Sequence, residues 1–214
     1  MTAAPMRDKL LRIATQQFAN VGFEATTMRS IASKAGVTLP TLYHYYGDKA
    51  NLYIEACLAS FAPRAERALA AHSRPGARED ERVLEFFVDL ATDLLENESL
   101  FKLLHREMID QDREGIRRLT DRCWKQSFAA LTESFRALIP VGSDPVGTDP
   151  VGTALASFAL MFGLVEFRRK APFLHGSLVK HYTPHGLAEF VLATTVPSIQ
   201  WRAVPERQAK AASA

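Results

Sequence analysis

The chain has 214 residues, 47% hydrophobic and 23% charged, which excludes a disordered polymer and allows a sizeable buried core. A net charge of +2 is poor for a protein that coats nucleic acid without selectivity, but the charge is unevenly held. Residues 1–55 carry six Lys/Arg against four Asp/Glu, whereas residues 56–214 carry twenty of each.

No stretch alternates apolar and polar residues long enough to require a strand, and helical spacing recurs throughout. Leu11, Ala14, Phe18 and Val21 fall at i, i+3, i+7 and i+10, predicting a first helix that Gly22 ends. Two short helices follow, broken at Gly36. A longer one begins near Asp48, a suitable N-cap, and carries Leu52, Tyr53, Ala56 and Phe61 towards His72. "SRPGAR" (73–78) reads as a loop. Leu84, Phe87, Val88, Ala91, Leu94 and Leu95 predict another amphipathic helix, 100–109 a shorter one and 116–138 a longer one. "DPVGTDPVGT" (144–153) is a tandem pentapeptide read as a duplicated loop, whose Asp149 and Pro150 suit the start of the next helix. That helix runs to Arg169. "KAPFLHG" breaks it, 185–201 supplies the last helix, and the tail from Pro205 is expected to fray. The expectation is an all-α chain of about nine helices: a small head over 1–55, a larger body over 56–204 and a disordered tail over 205–214.

The informative stretch is "TMRSIASKAGVTLPTLYHYYGDK" (27–49). Pro40 sits in a first turn, where the missing amide costs nothing and the fixed φ suits a helix. Thr38 reads as its N-cap and Gly47 as its stop. Two turns do not persist alone in water, so neighbours must hold them. Ile31, Ala35, Val37 and Leu42 are expected to face inward on Phe18 and Ala14. Ala32 lets the two short helices approach, and Gly36 turns between them. This is helix-turn-helix grammar. The outward face is then Thr38, Leu39, Thr41, His44 and Tyr45, with Lys49 just beyond. Its hydroxyls, methyls and rings suit a DNA groove and its sugar-phosphate wall. Thr27 offers a hydroxyl and helix-start amides to a phosphate, and Arg29 reaches a base edge or phosphate.

The pattern Thr27, Ile31-Ala32, Ala35-Gly36-Val37, Leu42-Tyr43, Tyr45-Tyr46, Lys49 and Leu52 resembles the DNA-binding domain of TetR-family transcriptional regulators over roughly the first quarter of the chain. The resemblance implies a homodimeric, all-helical repressor. It implies phosphate contacts by Thr27, Tyr43, Tyr45 and Lys49, with Arg29, Leu39, Thr41 and His44 facing bases. Tyr46 stands where Phe is more usual, and Leu39 where many members carry a polar residue.

In the body, 150–169 is apolar on more than one face and needs two coverings. With the last helix it is expected to pair with its copy across a two-fold axis through Leu155, Phe158, Met161, Phe162, Val165, Leu187, Phe190 and Val191. Its most apolar run, 154–167, is too short to span a bilayer. Phe101, Leu104, His105, Met108, Trp124, Phe128 and Phe162 are the candidate lining of an effector site for an apolar or aromatic small molecule. His175, His181 and His185 lack metal-ligand spacing, so no metal is expected. No GxSxG, phosphate loop or HExxH occurs, so neither catalytic residues nor a cofactor are expected. Cys57 and Cys123 are expected reduced, and with no signal core the protein is expected in the cytoplasm. The expected function is a repressor released from a palindromic operator in double-stranded DNA by a small molecule. The competing expectation is a helical small-molecule-binding or catalytic protein that no longer reads DNA.

Overall fold

The computed structural model describes residues 3–109, 117–139, 149–168, 173 and 183–201, with backbone alone at 3, 4, 71, 72, 107–109 and 123. Among them every regular element is helical: α1 (Ala3–Ala25), α2 (Met28–Ala35), α3 (Leu39–Tyr46), α4 (Lys49–His72), α5 (Glu79–Glu96), α6 (Glu98–Ile109), a π-turn (Thr120–Trp124) leading into α7 (Lys125–Leu138), α8 (Pro150–Phe167) and α9 (Pro184–Thr195). The all-α expectation is borne out. The tail from Pro205, the first pentapeptide copy, His175 and His181 lie outside the described residues.

The polar punctuation does what its chemistry predicts. The Thr38 hydroxyl accepts from the Thr41 amide at 3.3 Å and opens α3. Asp48 caps α4 by accepting from the Asn51 amide at 2.7 Å. Asp149 accepts from the amides of Val151 and Gly152, each at 3.3 Å, with Pro150 in the first turn of α8. Gly36 takes the left-handed conformation (φ 68°, ψ 35°) that the turn between α2 and α3 requires.

Three readings need correction. Val21 is exposed; the buried stripe of α1 is Leu10, Ile13, Ala14 and Phe18, so the inward face is turned from the predicted one. The last helix stops at Thr195 rather than Trp201, because Pro197 has no amide to continue it and disfavours helical angles at Val196. The long helix before α8 is not uniform: the Lys125 amide reaches back five residues to the Thr120 carbonyl, a π-turn that side-chain spacing did not reveal.

The described chain divides into two compact units. One draws on Met1–Ser73 and Thr92–Ala130, the other on Arg74–Ala91 and Leu131–Ala214. In the first, α1 packs on α2, α4 and α6 around Phe18, whose ring meets Tyr53 edge-on at 4.9 Å. Glu55 of α4 accepts from Arg7 of α1 at 3.0 Å and from Arg122 of the π-turn at 3.2 Å. Asp93 pairs with Arg64 at 2.9 Å and Arg67 at 2.7 Å. In the second, the Phe87 ring lies 6.4 Å from Phe135 and 5.7 Å from Phe158. There α8 packs on α9, with the Ser157 hydroxyl donating to Thr195 Oγ1 at 2.9 Å.

Candidate nucleic-acid interface

The interface is built from the inside out. Ile31, Ala35 and Leu42 are fully buried and Ala32 and Met28 nearly so, which seats α2 and α3 on the unit's core. Val37, expected inward, is half-buried. At the far end of α3, Tyr46 is buried and its hydroxyl donates to the Arg7 carbonyl at 3.3 Å. Burial pushes this phenol above its ordinary pKa, while the neighbouring Arg7 guanidinium pulls the other way. One ring of the four in "YHYY" is thus spent on anchoring α3.

The remaining side chains of α3 look out. Thr38 and His44 are exposed, Tyr43 is 46% exposed, and Leu39, Thr41 and Tyr45 are half-buried. The Thr38 and Thr41 hydroxyls lie 2.8 Å apart, and the His44 and Tyr45 rings meet edge-on at 5.9 Å. These pairings hold a row of hydroxyls and rings on one open side of a helix whose opposite side is core. On α2, Thr27 is exposed and forms a reciprocal cap with Ser30, and Arg29 is exposed. The nine predicted DNA-facing residues therefore sit together on α2, α3 and the start of α4.

Lys49 is more constrained than the sequence implied. Its Nζ donates to the Phe23 carbonyl at 3.0 Å and the Glu24 carbonyl at 3.4 Å, and lies 4.3 Å from the centre of the Phe23 ring. An ammonium has three hydrogens, so one donor remains for an outside acceptor.

The predicted effector residues are less closely gathered. Phe101, Leu104, His105, Trp124 and Phe128 belong to the first unit and Phe162 to the second; the Met108 side chain lies outside the described residues. Leu104 is buried, Phe101 stacks obliquely on His105 at 6.3 Å, and Trp124 lies 5.4 Å from Phe61. A groove of ≈ 430 Å3 does open in the first unit, but most of the residues around it are polar, including Asp8, Arg12, Gln16, Ser60, Arg64 and Ser99. None of the seven predicted effector residues lines it. Sequence reasoning missed this groove because its residues come from α1, α4 and the α5–α6 junction, each unremarkable alone.

The predicted dimer residues divide by register. Met161, Val165, Leu187 and Val191 are buried within the chain, and the Phe158 ring meets Phe86 edge-on at 5.6 Å and lies tilted against Phe87 at 5.7 Å. Phe162 is half-buried. Leu155 and Phe190 are open, at 56% and 46% exposure. On α8 the residues Thr153, Ser157, Met161 and Val165 form the inward stripe, while Val151, Leu155 and Ala159 form an exposed one. By length and composition α8 is apolar enough to cross a membrane, yet a packed helix of a globular protein satisfies the same test.

Residues 10–56 match the family model for bacterial regulatory proteins of the tetR family. The HTH-type transcriptional repressor KstR2 of Mycolicibacterium smegmatis is 41% identical over 58 residues, 27% of this chain and 28% of that repressor's length. Among solved structures, the fatty acid degradation regulator FadR of Bacillus halodurans superposes with a TM-score of 0.72 at 16% identity, covering 94% of this chain and 100% of that one. FadR of Bacillus subtilis, in complex with stearoyl-CoA, superposes with a TM-score of 0.71 at 18% identity, covering 90% and 99%. The family resemblance read from Thr27 to Leu52 is borne out. At these identities the solved structures establish the fold.

Proposed function

We propose that this chain, which carries the amino-terminal domain of the tetR family at residues 10–56, is a homodimeric, cytoplasmic repressor that a small molecule releases from a palindromic operator. The observation that carries the reading is the two-sidedness of α3. Leu42 and Tyr46 anchor one side in the core, and Thr38, Thr41, Tyr43 and His44 present the other to solvent. In a major groove, Thr41, His44, Leu39 and Arg29 would face base edges. Thr27, Thr38, Tyr43, Tyr45 and the free hydrogen of Lys49 would meet phosphates. The head over 1–55 would read DNA, and the body over 56–204 would dimerise and bind the effector.

Dimerisation is supported by the stripe Val151, Leu155 and Ala159 with Phe190, an apolar surface that a helix in water would otherwise leave uncovered. Two-fold symmetry would set the two reading helices one helical turn of DNA apart, about 34–36 Å. The effector would be apolar or aromatic, drawn to Phe101, Leu104, Trp124 and Phe128 of the first unit, with His105 as polar partner. Because the Bacillus subtilis neighbour was solved with stearoyl-CoA, long-chain acyl thioesters join the ligands to be tried. Release requires only that the effector bind the DNA-incompetent shape more tightly than the competent one.

Selecting duplexes from a random pool with the full chain tests the reading. The expected product is one palindromic sequence, bound with strong salt dependence and displaced by an apolar ligand or acyl thioester. Recovery of no preferred sequence would refute it.

A further inference from the structure

The carboxyl end of α1 has no basic residue of its own, yet it ends against three cations. Gly22 leaves helical geometry there (φ 86°, ψ 170°), which breaks the run of amides that would satisfy the last carbonyls. Other groups take their place. Arg106 of α6 donates to the Ala19 carbonyl at 3.3 Å through Nε and to the Asn20 carbonyl at 3.4 Å through Nη2. Lys102, one turn earlier, donates to Asn20 Oδ1 at 3.2 Å. The Thr26 hydroxyl donates to the Gly22 carbonyl at 2.6 Å, and Lys49 takes those of Phe23 and Glu24. Cations are favourably placed at this negative pole of a helix.

Gly22 also makes room. A Cβ built on it would stand 2.7 Å from Arg106 Nη1, and its positive φ disfavours any side chain. The guanidinium therefore lies against bare backbone at the bend. Four residues on, buried Thr26 leads into Thr27, the cap of α2, and thence through Gly36 to α3. The direction in which α1 ends fixes where the Thr27 amides and the reading helix start.

We infer that Arg106, 60 residues beyond the end of the reading helix, is a positioning residue for DNA recognition. It acts by gripping the Ala19 and Asn20 carbonyls across Gly22 and so orienting the α1–α2 bend. The inference rests on the reading of α3 as a DNA-reading helix. It makes α6, outside the 1–55 head, part of the machinery that sets recognition. Arg106 touches no phosphate in this role, so its removal lowers affinity without changing the number of ions released on binding.

The test uses the full chain, the duplex selected by the wild type, and Arg106→Gln and Arg106→Lys. Stoichiometric titration gives the active fraction, so that Kd refers to folded protein only. Arg106→Gln is expected to bind roughly tenfold more weakly, with the slope of log K against log salt unchanged. Arg106→Lys, which keeps one charged donor for the carbonyls, is expected to recover most of the loss. A slope shallower by about one would make Arg106 a phosphate contact and overturn the inference. So would a lower active fraction with unchanged Kd, the mark of a purely structural residue. If Arg106→Gln does not fold, Arg106→Met, which keeps the stem and loses every donor, carries the comparison: a Kd roughly tenfold weaker than wild type with the slope unaltered supports positioning, and an unchanged Kd overturns it. If the wild type selects no duplex at all, the DNA reading itself falls, a result distinct from any of these.

Discussion

At the scale of single residues, Tyr46 shows how one hydroxyl separates an anchor from a contact. The phenol is buried and donates to the Arg7 carbonyl, and burial raises its pKa in the folded state. Because the folded pKa lies above the unfolded one, the protonated form is favoured in the native chain. Its stabilising effect is complete below the ordinary tyrosine value of about 10 and is lost as pH rises through the raised value. Tyr46→Phe is therefore expected to melt slightly lower than wild type near pH 8, by up to about 1 kcal/mol for one hydrogen bond. The gap should close or reverse near pH 11, and melting curves at both pH values check the sign. The sequence left Tyr46 out of the outward face expected of α3, which was Thr38, Leu39, Thr41, His44 and Tyr45. It gave no sign that Lys49 is largely engaged with Phe23 and Glu24, because that contact depends on where α1 ends in space.

At the scale of elements, the short helix α3 depends on its caps more than on its composition. Eight residues are too few for independent stability, so the Thr38 cap and the Leu42 anchor carry unusual weight. Thr38→Ala should cost about 1 kcal/mol of stability. Urea denaturation of the purified chain would measure it, with operator affinity falling in parallel if a frayed α3 reads DNA poorly. Starts of elements were legible wherever a side chain supplies the first-turn acceptor, as Thr38, Asp48 and Asp149 do. Ends and interiors were less so. Pro197 was passed over inside an apolar run, and the inward face of α1 was misplaced because Val21 continued a plausible stripe past the buried one. The bonding pattern of a π-turn has no side-chain signature at all.

At the scale of the whole molecule, the amino-terminal motif was legible because residues 10–56 hold fixed residue types at fixed spacing. The body was legible only as apolar helices, since hydrophobic residues of similar size serve a core, a ligand site or a subunit contact equally well. Register in the folded chain separates these uses on α8: Met161 and Val165 are used up inside, while Leu155 remains open. A negative charge on the open stripe should thus block self-association while sparing the fold. Leu155→Asp combined with Phe190→Asp is expected to sediment as a monomer with a helical spectrum close to wild type, and to bind the operator at least tenfold more weakly. A dimer surviving both changes would locate the subunit contact elsewhere.

The wide turn at Thr120–Trp124 bears on how this chain tolerates a change in length. Arg118, ahead of it, reaches Asn51, and Ser127, beyond it, reaches the Ala65 carbonyl, so both flanks address the same partner helix. Straightening the winding at constant length would swing one flank about 100° around the axis and lose one set of bonds. Trimming one residue from the bulge would leave both directions intact. A chain one residue shorter at this point would therefore still aim the same side chains at α4.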